Sequence, residues 1–417
     1  MNRLTTILLF SCGAMCSAQN PNTSNVTEYA IPTPNSLPES ILLGPDGALW
    51  FTETAGNKIG RITPVSGKIT EYQATGAPWD LIVGPDGAFW FTETNGNKIG
   101  RMTVNGVITN QFTIPTPNSG PRRIVIGPDN AMWFTEYTGN NIGRITTSGK
   151  ITEYPIPTPN ATPSGITAGP DGAIWFNENG GNQIVRMTTQ GVITNSYPAP
   201  FPHSVLAQII NGPDGNLWIT ENWSNRIGRM TPQGNFVEWV APTPGAVPSG
   251  LTVGPDGALW FTEWGQTVTQ IGRITTDGVI TEFPIPTAGS EPWEITAGPD
   301  GALWFVEYIG NKVGRIPACA MGMNVFYSNG TFEPIPALNF YFALGNTMSG
   351  TWTTWLQQNG NPLATLYSQP IGPNTPPVNL FVPIPLNPTG AVTVKSGLIN
   401  NNGTLVCSET QTVFTGQ

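Results

Sequence analysis

Histidine is nearly missing from this chain: one residue, His203, in 417. A single imidazole cannot build a multi-histidine metal site, and any Ser-His or Cys-His nucleophile would depend on that one position. Cysteine is almost as scarce at four. Two of these, Cys12 and Cys16, fall in the first 18 residues, where the apolar run Ile7-Leu8-Leu9-Phe10 follows Arg3. That run is too short to span a bilayer, and Ser17-Ala18 offers a peptidase site before Gln19, so residues 1–18 read as a secretory signal peptide and the protein as periplasmic or extracellular. A lipoprotein signal at Cys12 is the weaker alternative, because Phe10 is bulky where such signals carry a small residue. The remaining pair, Cys319 and Cys407, could close one disulfide in an oxidising compartment. Charge is sparse as well: 10% of residues are charged, with 17 basic against 26 acidic and a net charge of −9. This argues against nucleic acid or an anionic lipid surface as a partner.

What the chain has in excess is glycine, 49 residues, and proline, 41. Coiled coils and most helical bundles are thereby excluded. Disorder is excluded by a hydrophobic fraction of 39% and 14 tryptophans. The expectation is a folded, turn-rich, all-β protein. A Gly-Pro-Asp turn motif, followed by a Trp and three residues later a Glu, recurs from Gly44, Gly84, Gly127, Gly169, Gly212, Gly254 and Gly298, at spacings of 40, 43, 42, 43, 42 and 44. A period near 42 fits one four-stranded blade, so seven copies predict a seven-bladed β-propeller.

Within the first repeat we read strand A as Ser40 to Leu43, B as Ala48 to Glu53, C as Lys58 to Thr63 and D as Lys68 to Tyr72. The seven turn aspartates resemble metal ligands but are better explained by hydrogen bonds to their own turn backbone. Trp50, Trp90, Trp133, Trp175, Trp218, Trp260 and Trp304 read as core between neighbouring blades. The seven strand-C arginines, beginning with Arg61, are expected to pair with the strand-B glutamates or with carbonyls nearby. No strand D follows the last of them, Arg315; the missing copy, Val26-Thr27-Glu28-Tyr29, precedes the first strand A and should close the last blade. The propeller is therefore assigned to residues 19–317. Beyond it the period vanishes, and the short alternating runs of 318–417 suggest a β-sandwich-like domain for adhesion or display.

The start of strand A, the end of B and the B–C loop share one face of the ring. On that face the repeats differ most, as expected for a regular scaffold carrying one asymmetric site. Directly after a Pro they carry Glu39, Trp79, Arg122, Ser164, Ser249 and Trp293, with the fifth blade irregular around Pro202-His203-Ser204. The B–C loops add Tyr137, Trp223, Trp264 and Tyr308. Such aromatics suit a small molecule, a peptide or a glycan, although Trp79 and Trp293 equally suit a plug in the axial channel. The strand-B glutamates Glu53, Glu93, Glu136, Glu178, Glu221, Glu263 and Glu307 end on the same face, where one or two near the axis would serve a divalent cation. His203 reads as a solvated loop residue, and the protein as a monomer.

The wording of the repeats, Gly-Pro-Asp-Gly-Ala-Leu-Trp-Phe-Thr-Glu, Gly-Asn-Lys-Ile-Gly-Arg-Ile-Thr and Ile-Thr-Glu-Tyr-x-Ile-Pro-Thr-Pro, resembles the virginiamycin B lyases, or streptogramin lyases, over about residues 26–317. The resemblance implies a seven-bladed propeller that opens a cyclic depsipeptide by magnesium-assisted elimination, with a histidine taking the α-proton. The family's two histidines follow prolines at the start of strand A in the last two blades. Here those positions are Ser249 and Trp293, the latter in Glu291-Pro292-Trp293, and Glu307 is the nearest match for a further family carboxylate. Glu291 and Glu307 are thus the residues the resemblance offers for a metal or for catalysis. With both histidines replaced, two function classes stay open: a lyase-like enzyme using Glu39, Glu291 or Glu307 as base, with altered or lost elimination, or a non-catalytic module binding a glycan or peptide through Trp79, Trp223, Trp264 and Trp293.

Overall fold

In this computed structural model residues 26–265 and 267–317 are described throughout, and the backbone of seven strands is described between 321 and 413. Seven four-stranded antiparallel sheets form the propeller. In blade 1 the strands are A (Pro38–Leu43), B (Leu49–Glu53), C (Lys58–Ile62) and D (Ile69–Gln73), within two residues of the bounds expected. Blade 7 consists of A (Pro292–Ala297), B (Ala302–Glu307) and C (Lys312–Pro317), and its outer strand D is Thr27–Ala30 from the N-terminal end of the described chain. Thr27 pairs with Arg315 and Ala30 with Lys312. Closure is reinforced by side chains: the Asn311 amide donates to the carbonyls of Ile31 and Thr33, and Lys312 and Thr287 both donate to Glu28. The ring thus has no open edge between its first and last blades.

Strand B is buried along its whole length in every blade, because neighbouring sheets cover both of its faces. Each of its tryptophans stacks on an aromatic of strand D in the same blade, from Trp50 on Tyr72 to Trp304 on Tyr29, with ring centroids 5.2 to 5.8 Å apart. The strand-D aromatic also covers the C–D turn of the following blade. Gly67, at φ +64°, leaves no room for a side chain against Tyr29.

The arginine assignment is corrected by the structure. The strand-C arginines pair with the turn aspartates and not with the strand-B glutamates. In blade 1 Asp46 Oδ1 accepts from the Trp50 indole at 3.0 Å and from the Ala48 amide, while Oδ2 accepts from Arg61 Nε at 2.7 Å. Trp50 of strand B is paired across the sheet with Arg61, whose guanidinium reaches the turn aspartate. The aspartate therefore holds three partners, of which its own turn backbone is only one. Burial works against its charge, but the indole and guanidinium hydrogen bonds outweigh it and hold the Asp46 carboxyl below its ordinary value.

The strands between 321 and 413 form a three-stranded and a four-stranded antiparallel sheet. The signal peptide assigned to residues 1–18 and the bond assigned to Cys319 and Cys407 lie outside the described residues or side chains. Among the described residues no helix is long and apolar enough to cross a membrane.

Candidate functional site

Strand A of every blade begins with the same local geometry. The residue before its first position takes a left-handed backbone, as at Leu37 (φ 50°), Ala77 (φ 57°), Val247 (φ 54°) and Glu291 (φ 51°). In the blades other than the fourth its carbonyl accepts an amide from the B–C loop, for example from Tyr308 to Glu291 at 3.0 Å. This fastens the loop aromatics beside the start of strand A. The fifth blade is not irregular: Leu206 stands where the others have Pro, and Ala207 takes the axial position. His203 is an exposed turn residue at φ 57°, in the place filled by Asn35 and Asn160 in other linkers. A left-handed turn position, for which His is better suited than most side chains, accounts for it.

Two groups of the residues singled out from sequence come together at the axial mouth. On blades 6 and 7 the Trp293 ring meets Trp264 edge to face at 4.9 Å and lies 5.9 Å from Tyr308. The indole nitrogens of both Trp264 and Trp293 are buried without a partner. On blades 2 and 3 the Arg122 guanidinium sits 4.8 Å from the Trp79 ring and 3.5 Å from that of Tyr137. Ser164, 9% exposed, is used up structurally by donating to the Leu206 carbonyl at 2.6 Å. Trp223 is not part of either group; its side chain is exposed at 76% on the blade 5 loop.

Glu39, on blade 1, is 3% exposed, and its Oε2 has no hydrogen-bond partner. Burial raises its carboxyl to about 8, against the pull of Arg123 and Arg122. Tyr308 is raised too, by burial and then by the nearby carboxyls of Glu39 and Glu291. Glu39, Glu291 and Tyr308 therefore share one electrostatic neighbourhood at the mouth.

One residue further along each strand A lies a second layer that sequence reasoning missed. Here Arg123 of blade 3 forms an ion pair with Glu294 of blade 7 and reaches within 4.0 Å of Asp80 of blade 2. Ser40 donates to Asp80 at 2.7 Å, and the second Asp80 oxygen accepts from the Ile124 amide. These charges border a small axial cavity of about 160 Å³, into which Gln208 also faces. The axis is thus crossed by an ion pair below the mouth, and Trp79 and Trp293 stand above it. The signal was available: Ser40, Asp80, Arg123, Gly165, Gln208, Gly250 and Glu294 vary as much as their predecessors do.

The strand-B glutamates do not line the axis. Glu307 is fully buried against Gly310 and Ser290, with Glu28 of strand D and Lys312 as its charged neighbours. The same arrangement brings Glu53 beside Glu71, Glu136 beside Glu153, Glu221 beside Glu238 and Glu263 beside Glu282. Both carboxyl oxygens of Glu307 lack partners, but so do those of Glu53 and Glu263, so the orphan oxygens belong to the repeat and not to one cation site. Burial first and Glu28 second push Glu307 to about 8. Among the described residues no group of three or more His, Cys, Asp or Glu stands together as a metal cage.

Comparison with known proteins places this geometry. The family model described as the virginiamycin B lyase family matches residues 17–200 and 109–327. A crystal structure of virginiamycin B lyase from Staphylococcus aureus superposes with a TM-score of 0.65 at 40% identity, covering 70% of this chain and 98% of that one. A catalytically inactive histidine-to-alanine variant of the Staphylococcus aureus enzyme, with quinupristin, gives a TM-score of 0.65 at 41% identity over 70% and 98% of the two chains. Hydrazine synthase from Kuenenia stuttgartiensis shares the fold alone, at 16% identity and a TM-score of 0.58 over 69% of this chain and 97% of that one.

Proposed function

The chain belongs to the virginiamycin B lyase family, and we propose that it is an exported propeller that binds a ligand at its axial mouth without the family's histidine-dependent elimination. The ligand class is a cyclic depsipeptide of the streptogramin B type or a peptide with similar flat groups. One observation carries this reading: at a position where the resemblance calls for a histidine, Trp293 is held edge to face on Trp264 and against Tyr308. An indole cannot take a proton from carbon at neutral pH. Ser249, at the other position, is 2% exposed and is no base either. The aromatic group retains the means to hold a ring by stacking and edge contacts. Quinupristin accompanies the inactive Staphylococcus aureus variant, which supports binding without turnover as a coherent state of this scaffold.

The test pairs two measurements on one sample. Titrating the mature protein with a streptogramin B should quench tryptophan fluorescence, and mass spectrometry after incubation with magnesium should find the ring intact. Linear product at enzyme-like rates would overturn the reading.

A second reading is favoured by Glu39. A carboxyl at about 8, buried at the axis with a free oxygen, would act as a general base once ionised, so elimination by it would rise with pH toward 8. On that reading elimination continues with Glu39 in place of the histidine, and Glu39→Gln would abolish product formation while leaving binding intact.

A further inference from the structure

Nine of the ten described arginines form an ion pair with an aspartate or glutamate. Arg122 is the exception among the described residues. Its guanidinium instead lies 4.8 Å from the centre of the Trp79 ring and 3.5 Å from that of Tyr137, so its close partners are aromatic and not acidic. Arg122 lines a cleft of about 310 Å³ between blades 2 and 3. Apart from Arg122 and Tyr137, the lining is entirely Thr, Asn and Gly, including Thr94, Asn95, Asn118 and Thr138. In a chain of net charge −9, a planar cation held open and without an acidic partner is a costly arrangement unless an anion completes it.

We propose that this cleft binds the carboxylate of an acidic sugar, with Arg122 as the carboxylate clamp and the asparagine and threonine side chains as partners for the hydroxyls. The planar fork matches a carboxylate in bidentate geometry. The wall chemistry selects a sugar over a peptide, because no aliphatic side chain lines the cleft to accept one. Glu39 acts on Arg122 only at a distance, forming no ion pair with it, and burial raises the Glu39 carboxyl to about 8. The volume lies at the lower end of small-ligand sites, about 300 Å³, which suits one sugar residue at the end of a longer chain. The site lies on different blades from the Trp264–Trp293–Tyr308 group, so its binding is measured separately from that of the depsipeptide.

The experiment is calorimetric titration of the full mature chain with galacturonate, galactose and N-acetylated trialanine carrying a free C-terminus. Galacturonate should bind at least about tenfold more tightly than galactose, and Arg122→Gln should erase that difference. Arg122→Lys, which keeps the charge but not the fork, should retain only part of it, and thermal melts confirm that both variants fold. Equal affinity for galacturonate and galactose, no binding of either, or tighter binding of the peptide would overturn the proposal. Loss of depsipeptide binding with galacturonate binding intact would sink only the reading of the preceding section.

Discussion

Arg123 crosses the axis of the propeller to pair with Glu294, joining blade 3 directly to blade 7. The two residues are 13% and 7% exposed and lie 171 positions apart in a ring whose blades otherwise contact mainly their neighbours. Removing one partner would leave the other charge enclosed, which typically costs about 3–5 kcal/mol. We therefore expect Arg123→Ala to lower the melting temperature clearly at pH 8. The double change to leucine at both positions should recover most of that loss. A single variant as stable as the wild type would show that the pair contributes nothing.

The glutamate pairs between strands B and D set the pH dependence. Burial first, and the strand-D partner second, raise Glu53, Glu136 and Glu307 to about 8 and Glu263 to about 9, from an ordinary 4.5. The folded state therefore binds protons that the unfolded state has released. Stability from these groups is full below pH 4.5 and is lost as the pH rises toward 8 to 9. The turn aspartates act oppositely, since they are held below 3.8 and their contribution fades in stronger acid. Melting temperature should peak at about pH 4–5 and fall steadily toward pH 9. Glu263→Gln, which mimics the neutral carboxyl, should flatten this slope and stabilise the protein at pH 8 by about 1–2 kcal/mol. Differential scanning calorimetry across the pH range reads both effects.

Closure of the ring depends on the strand Thr27–Ala30. Its deletion, made by starting the mature chain at residue 37, would expose the edge of blade 7 and strip Tyr29 from Trp304. We expect a broadened, less cooperative unfolding transition by circular dichroism and a tendency to associate through the open edge. A truncated chain that melts like the full one would contradict this.

Restoring histidine tests what was lost at the mouth. In the double variant Ser249→His, Trp293→His, linear streptogramin B product should rise by about 10²–10⁴-fold over the wild-type rate if the missing base is the main defect. Product detection by mass spectrometry, with and without added magnesium, reads the result. No gain in either condition would mean that the pocket as a whole, and not only its missing histidines, differs from that of the lyases.

The repeat made most of the architecture legible in one dimension. A period set by turn chemistry and a tryptophan in every strand B specifies seven blades, and the ring they form buries all seven indoles. The displaced strand D before Ile31 likewise announced its own closure, since no other edge in the ring lacks a fourth strand. Local sequence did not reveal which acidic residue each arginine meets. Asp46 and Glu53 are both near Arg61 in sequence, and register alone decides that the turn aspartate lies under the guanidinium while the glutamate faces strand D.

The site divides in the same way. Sequence alone placed the axial residues of six blades and showed that no histidine follows their strand-A prolines, because position after a proline is a local fact, but it missed Ala207 on blade 5, where Leu206 replaces the proline. Only the tertiary structure decided what those residues do to one another. Ring closure brings Arg123 within reach of Glu294, sets Trp293 against Trp264, and leaves Arg122 between two aromatic rings without an acid. Those relations depend on distances across the axis, which no spacing along the chain encodes.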